Sequence, residues 1–162
     1  MEPHEAMVLG AIKHGIGKFE KIQKTVGIEP KELDSILRRL EESGFIKVEE
    51  KKGWLGAKVE IVPTDAGARE IERHVGELEA RWGKMAALYK TGGKDGLKQA
   101  MDENKSFIPM MMFFGVMDMA MFGMMFGLIG AAMTDYVPAD SMPPGAGDAD
   151  PGAGDFDFDV GF

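Results

Sequence analysis

Apolar side chains recur at helical spacing in three short stretches at the start of the chain. Residues 5–14 (EAMVLGAIKH) place Met7, Val8, Ala11 and Ile12 on one face, and Gly15 and Gly17 close the segment. Residues 18–26 (KFEKIQKTV) repeat the pattern with Phe19, Ile22 and Val26 and stop at Gly27. A third helix, 30–43, opens on Pro30, whose missing N–H costs nothing in a first turn. Leu33, Ile36, Leu37 and Leu40 are its stripe, and Gly44 ends it. The period then changes from helical to alternating. Phe45–Glu49 reads as a strand, a charged turn with Gly53 and Gly56 follows, and Ala57–Val62 reads as a second strand. Pro63-Thr64-Asp65 opens a long helix. Its Ile71, Val75, Leu78, Trp82, Met85 and Tyr89 form a heptad seam, and a short helix over 95–103 comes after Thr91-Gly92-Gly93.

Three helices, a hairpin and a further helix follow the winged helix-turn-helix order. ILRRLEESGFIKVEE at 36–50 and VPTDAGARE at 62–70 resemble the third helix, first wing strand and post-wing helix start of winged-helix transcriptional regulators of the PadR-like and MarR-like class. The resemblance covers residues 5–75. It implies a third helix that reads the major groove of double-stranded DNA and a wing that touches the backbone or minor groove. Lys31, Ser35, Arg38 and Arg39 are then the base- and phosphate-facing candidates on the helix, and Lys51, Lys52 and Lys58 those on the wing. Glu29, Glu32 and Asp34 oppose phosphate in the same region. The competing reading makes Arg38 and Arg39 partners of Asp34 or Glu42 in surface ion pairs. PadR-like proteins dimerise through C-terminal helices, so the resemblance points to a homodimer through the seam. The alternative is that the seam packs on its own domain.

Trp54-Leu55 at the expected wing tip is unusual for a surface that slides along phosphates. The pair suits an apolar partner, or Trp54 folds back to cap the core.

The segment 107–133 changes the picture. Its 27 residues carry one charge, Asp118, with nine Met and five Phe. That length is enough for a transmembrane helix, with Asp118 costing about 2.5–3.5 kcal/mol near its centre. Gly123 and Gly127 have the spacing of close helix contacts. Two other readings compete: short helices broken at Gly115 or Gly123 in an oligomer core, and a Met-rich groove for an apolar client. The latter is similar in composition to the Met-rich domain of signal recognition particle.

Charge is distributed unevenly. Residues 134–162 hold seven Asp and no Lys or Arg, and removing those seven from the 27 acidic residues leaves 20 against 19 basic ones on positions 1–133. The body is near neutral and the acidity lies in a Gly/Asp/Phe tail. Its last eight residues, DFDFDVGF, resemble the acidic, Phe-terminated tail of bacterial single-stranded-DNA-binding proteins, with Gly161 in place of the proline. The resemblance implies that Phe156, Phe158 and Phe162 dock on a protein partner. A tail that covers its own basic wing and a purely solubilising tail are the alternatives.

Chemistry-bearing motifs are few. The lack of Cys excludes thiolate metal sites, and with His4, His14 and His74 as the histidines a multi-histidine site is not expected. Gly15-Ile16-Gly17-Lys18 lacks the upstream Gly and the Ser or Thr of a phosphate loop. His74 has no identifiable nucleophile beside it in sequence and reads as a solvated helix residue, and the sequon at Asn104 reads as chance. Met1–Gly10 has no long apolar run, so the expected compartment is the cytoplasm.

The expectation is therefore a mainly α protein with a small β-hairpin, divided as a winged domain (1–75), seam and short helix (76–106), Met/Phe segment (107–133) and tail (134–162). It is expected to be a non-enzymatic, dimeric DNA-binding regulator without cofactors, with or without a membrane tether. The alternative is an adaptor whose winged domain and tail bind proteins while the Met-rich stretch contacts a membrane or apolar client.

Overall fold

The computed structural model describes residues 1–54 and 56–137. The chain is mainly helical with one two-stranded antiparallel hairpin. The elements are α1 (Pro3–Lys13), α2 (Phe19–Val26), α3 (Pro30–Glu42), β1 (Ile46–Gly53), β2 (Gly56–Pro63), α4 (Asp65–Lys90), α5 (Lys94–Glu103), α6 (Ile108–Phe113), α7 (Met119–Ile129) and a 3-10 turn, Met133–Asp135. They divide into two compact units, Met1–Gly76 and Glu77–Phe162. The Met/Phe segment and the short helix therefore belong to one unit rather than to separate regions.

In the first unit the predicted stripes become the core. Val8, Leu9 and Ile12 of α1, Ile22 of α2, and Leu33, Ile36 and Leu40 of α3 are buried with Ile46, Ile71 and Val75. The strands run further than the sequence pattern predicts. The register pairs Ile46 with Pro63 and continues through Lys51 and Lys58 to Gly53 and Gly56. The charged residues assigned to a turn are thus ladder residues. Gly17 adds to the sheet: its carbonyl accepts a hydrogen bond from the Ile61 amide at 2.9 Å. A Cβ at Gly17 would lie 2.8 Å from the Ile61 carbonyl oxygen. The Gly-Ile-Gly-Lys sequence is therefore used for close approach of backbone to β2.

The second unit holds the Met/Phe segment, and here the single-span expectation is corrected. No helix among the described residues is long and apolar enough to cross a membrane. The stretch breaks after Phe113, and Gly115 takes a left-handed conformation (φ +63°). Asp118 does not lie inside a helix; it is the N-cap of α7, accepting from the Met121 amide at 3.1 Å. A carboxylate at that position satisfies one of the orphan amides of a helix start and complements the helix dipole. Ile108, Met110, Met111, Phe114, Met117, Phe122, Met125 and Phe126 are buried with Leu78, Met85, Leu97 and Met101. Unbranched Met side chains fill the irregular gaps between such short helices.

The seam is also covered within the chain. Ile71, Val75, Leu78 and Met85 are buried, while Trp82 and Tyr89 are half-buried. Trp82 meets Phe122 edge-on at 6.3 Å. Four of the six seam residues are thus covered within the chain, and two keep part of their surface in water.

Three polar side chains depart from, or add to, the sequence reading. His74 is buried, not solvated, because position 74 shares the inward face with Ile71, Val75 and Leu78. Asn104 is buried, its amide donating to the Ala100 carbonyl at 2.7 Å and accepting from Arg81 at 2.9 Å. Tyr136 is buried and donates its hydroxyl hydrogen bond to Asp102 at 2.6 Å. Burial first, and then that hydrogen bond, push its pKa up to about 12.

A phenol with an ordinary pKa of about 10 when unfolded and a raised one when folded contributes stability fully below pH 10, and that contribution disappears as pH rises towards 12. Melting temperature should accordingly fall through that window, and Tyr136→Phe should flatten the fall. An unchanged slope in the variant would show that another group governs the alkaline limb.

Candidate nucleic-acid interface

The first unit carries the sequence-predicted site residues on α3 and the hairpin. α3 starts at Pro30 and ends against Gly44 (φ +75°), which sets its exposed face. Lys31, Ser35, Arg38 and Arg39 are all exposed, but they are not equivalent. Arg38 forms an i,i+4 pair with Asp34 at 3.0 Å, with both side chains mostly in water. Such a pair contributes only a few tenths of a kcal/mol, so its guanidinium exchanges readily onto a stronger anion. Arg39 is turned towards α1. It bonds Glu5 and lies 3.7 Å from Glu2, and the Glu5 hydrogen bond first of all raises its pKa. Its donors tie α3 to α1. Ser35 donates to the Lys31 carbonyl at 3.1 Å within the helix.

The carboxylates that oppose phosphate in the sequence reading are partly engaged. Glu32 pairs with His4 and Asp34 with Arg38. Among the described residues, Asp34 is the one of these carboxylates with a cationic partner that is always charged.

A further set of lysines, which sequence reasoning passed over, lies at α2. Lys18, Lys21 and Lys24 follow at three-residue intervals along α2, all exposed. Together with Lys31, Lys52 and Lys58 they make, within the first unit, six exposed lysines without an ion pair among the described residues. The i, i+3, i+6 spacing is legible in KFEKIQK. On the wing, Lys47 pairs with Glu49 at 3.0 Å, and the register sets Glu49 opposite Glu60 and Lys51 opposite Lys58. The hairpin is thus acidic in its middle and basic towards its tip. Trp54 is fully exposed (105%), so it does not cap the core.

The side chain of Lys51, residue 55 and the tail phenylalanines Phe156, Phe158 and Phe162 lie outside the described residues. In the second unit, an open depression of about 730 Å³ is bordered by Asp102, Glu103, Lys105 and Asp135 beside Tyr136. No group of three or more His, Asp or Glu positioned to hold a metal ion occurs among the described residues. Compared with protein-family models, with curated proteins and with solved structures, the chain matches none.

Proposed function

We propose that the chain is a cytoplasmic, non-enzymatic regulator that binds double-stranded DNA through its N-terminal helical unit and acts as a homodimer. The observation that carries this reading is the set of six exposed lysines without ion pairs on α2, α3 and the hairpin. The order of three helices, hairpin and helix supports it, as does the Gly17–Ile61 bond that adds backbone to the outer edge of β2. In this arrangement α3 offers Lys31, Ser35 and Arg38 to the major groove, while α2 and the wing neutralise phosphates.

Six phosphate contacts imply an affinity for duplex that falls by about 10³ between 50 and 200 mM salt. Changing Lys18, Lys21 and Lys24 together to Ala should lower the salt slope by roughly 3. Arg38→Ala should weaken binding to the preferred site by about 1–3 kcal/mol without altering that slope by more than about one. Anisotropy titrations at several salt concentrations measure both. Negligible affinity at low salt removes the regulator reading.

One observation favours a second reading, the adaptor. α7 contains no polar residue, and Met119, Ala120, Gly123, Met124 and Gly127 on it are exposed. A helix face of that composition suits an apolar client or a lipid surface.

A further inference from the structure

The hairpin ends in a feature that phosphate binding does not explain. The ladder is zipped to Gly53 and Gly56, with Trp54 just past it at the tip and Gly56 at φ +110°. The base of the hairpin is rooted, since Ile46 is buried, whereas Val48 (53%), Val59 (60%) and Trp54 are exposed. The five steps from Val48 to Gly53 span roughly 17 Å at about 3.3 Å per residue. The arm thus carries an indole clear of its own core. Around it, residues 51–58 (KKGWLGAK) hold three lysines and no carboxylate. Lys52 and Lys58, one on each strand, are both exposed on the two sides of the tip.

A large apolar ring between two glycines, collared by lysines, fits a groove walled by phosphates with a hydrophobic interior. We infer that Trp54 is an apolar wedge that enters a base step from the minor groove of duplex DNA, while Lys52 and Lys58 bind the flanking phosphates and the duplex bends away from the protein. The inference rests on the reading of the chain as a DNA-binding protein. Wedges of this kind unstack one step and kink the duplex by about 20–90°. The three tip lysines fall below the clusters of about four to eight that read as anionic-lipid sites. Positions 1–76 add no basic excess to them, holding 14 acidic and 13 basic residues. A single inserted ring needs only local phosphates.

The test uses the full chain and a duplex of about 30 bp with a central TpA step, the kind most easily kinked, carrying a dye at each end. At about 50 mM salt, the wild-type chain should bind and raise energy transfer between the ends, and the emission of Trp54, read in a Trp82→Phe chain, should be quenched. Trp54→Ala should bind about tenfold more weakly, keep the salt slope and lose the change in energy transfer. Equal affinity and equal bending by Trp54→Ala overturn the wedge and leave DNA binding standing. No binding by the wild-type chain overturns the DNA reading and the wedge with it. A blue shift of Trp54 emission in the same Trp82→Phe chain on phosphatidylcholine–phosphatidylserine vesicles, with none of these changes on duplex, overturns the wedge in favour of a lipid surface.

Discussion

Gly67→Ala is expected to unfold the N-terminal unit, with a loss of about 3–5 kcal/mol. Gly67 is buried in the first turn of α4, and a Cβ there would lie 2.0 Å from the carbonyl oxygen of Phe45 and 2.8 Å from its carbonyl carbon. Both are backbone atoms, so no rotamer change relieves the clash. The same carbonyl accepts the Thr64 amide at 3.0 Å. Thr64 in turn donates its hydroxyl to the Gly44 carbonyl at 2.6 Å and accepts from the Gly67 amide at 3.1 Å. Shifting α4 to make room would break this corner, in which the end of α3, the start of β1 and the start of α4 are tied together. Gly83→Ala is the control within the same helix. Nothing lies within 4 Å of its added Cβ, so replacing a helical Gly should stabilise the protein by about 0.5–1 kcal/mol. Denaturant unfolding of both variants measures the two opposite signs. A Gly67→Ala protein as stable as wild type would mean that α4 does not seat on Phe45 in solution.

Phe122→Ala is expected to cost the second unit a similar amount, about 3–5 kcal/mol. Phe122 is fully buried, edge-to-face with Phe126 at 4.8 Å and with Trp82 at 6.3 Å. Truncation removes the ring and leaves a cavity that short helices cannot close without breaking their caps. Met124 is half-exposed at 54%, and Met124→Ala should change stability by no more than about 0.5 kcal/mol. The contrast bears on where the apolar segment resides. A continuous helix facing lipid on all sides would treat positions 122 and 124 nearly alike, whereas a packed aqueous core separates them by several kcal/mol. Unfolding monitored by the near-ultraviolet signal of the aromatic cluster distinguishes the two.

Local order was legible in the chain because its causes are local. Each of the first three helices is an apolar stripe bounded by a glycine, and Gly27 and Gly44 take the left-handed conformation that ends a helix. Pro30 opens α3, and Thr64 caps α4 where Pro63-Thr64-Asp65 marked its start. The candidate interface was only partly legible. Arg38 and Arg39 are neighbours in sequence, yet a step of about 100° around the helix gives one an Asp34 partner in water and the other Glu5 on α1. The lysines of α2 were visible as a pattern, but that they lack ion pairs depends on which carboxylates the fold brings near.

Periodicity and stop residues alone determined where helices and strands begin, because both act through hydrogen bonds and dihedral angles within a few residues. They could not decide what covers each apolar stripe. A Met/Phe run with a single charge suits lipid, a second chain or its own neighbours, since burial has no direction in sequence. Packing decided which of its residues are covered within the chain: Asp118 became a cap, and Phe122 met Trp82 of α4. It also decided the fate of the two tryptophans: the fold half-covers Trp82 and leaves Trp54 in water, because only the rooted end of the hairpin reaches a core.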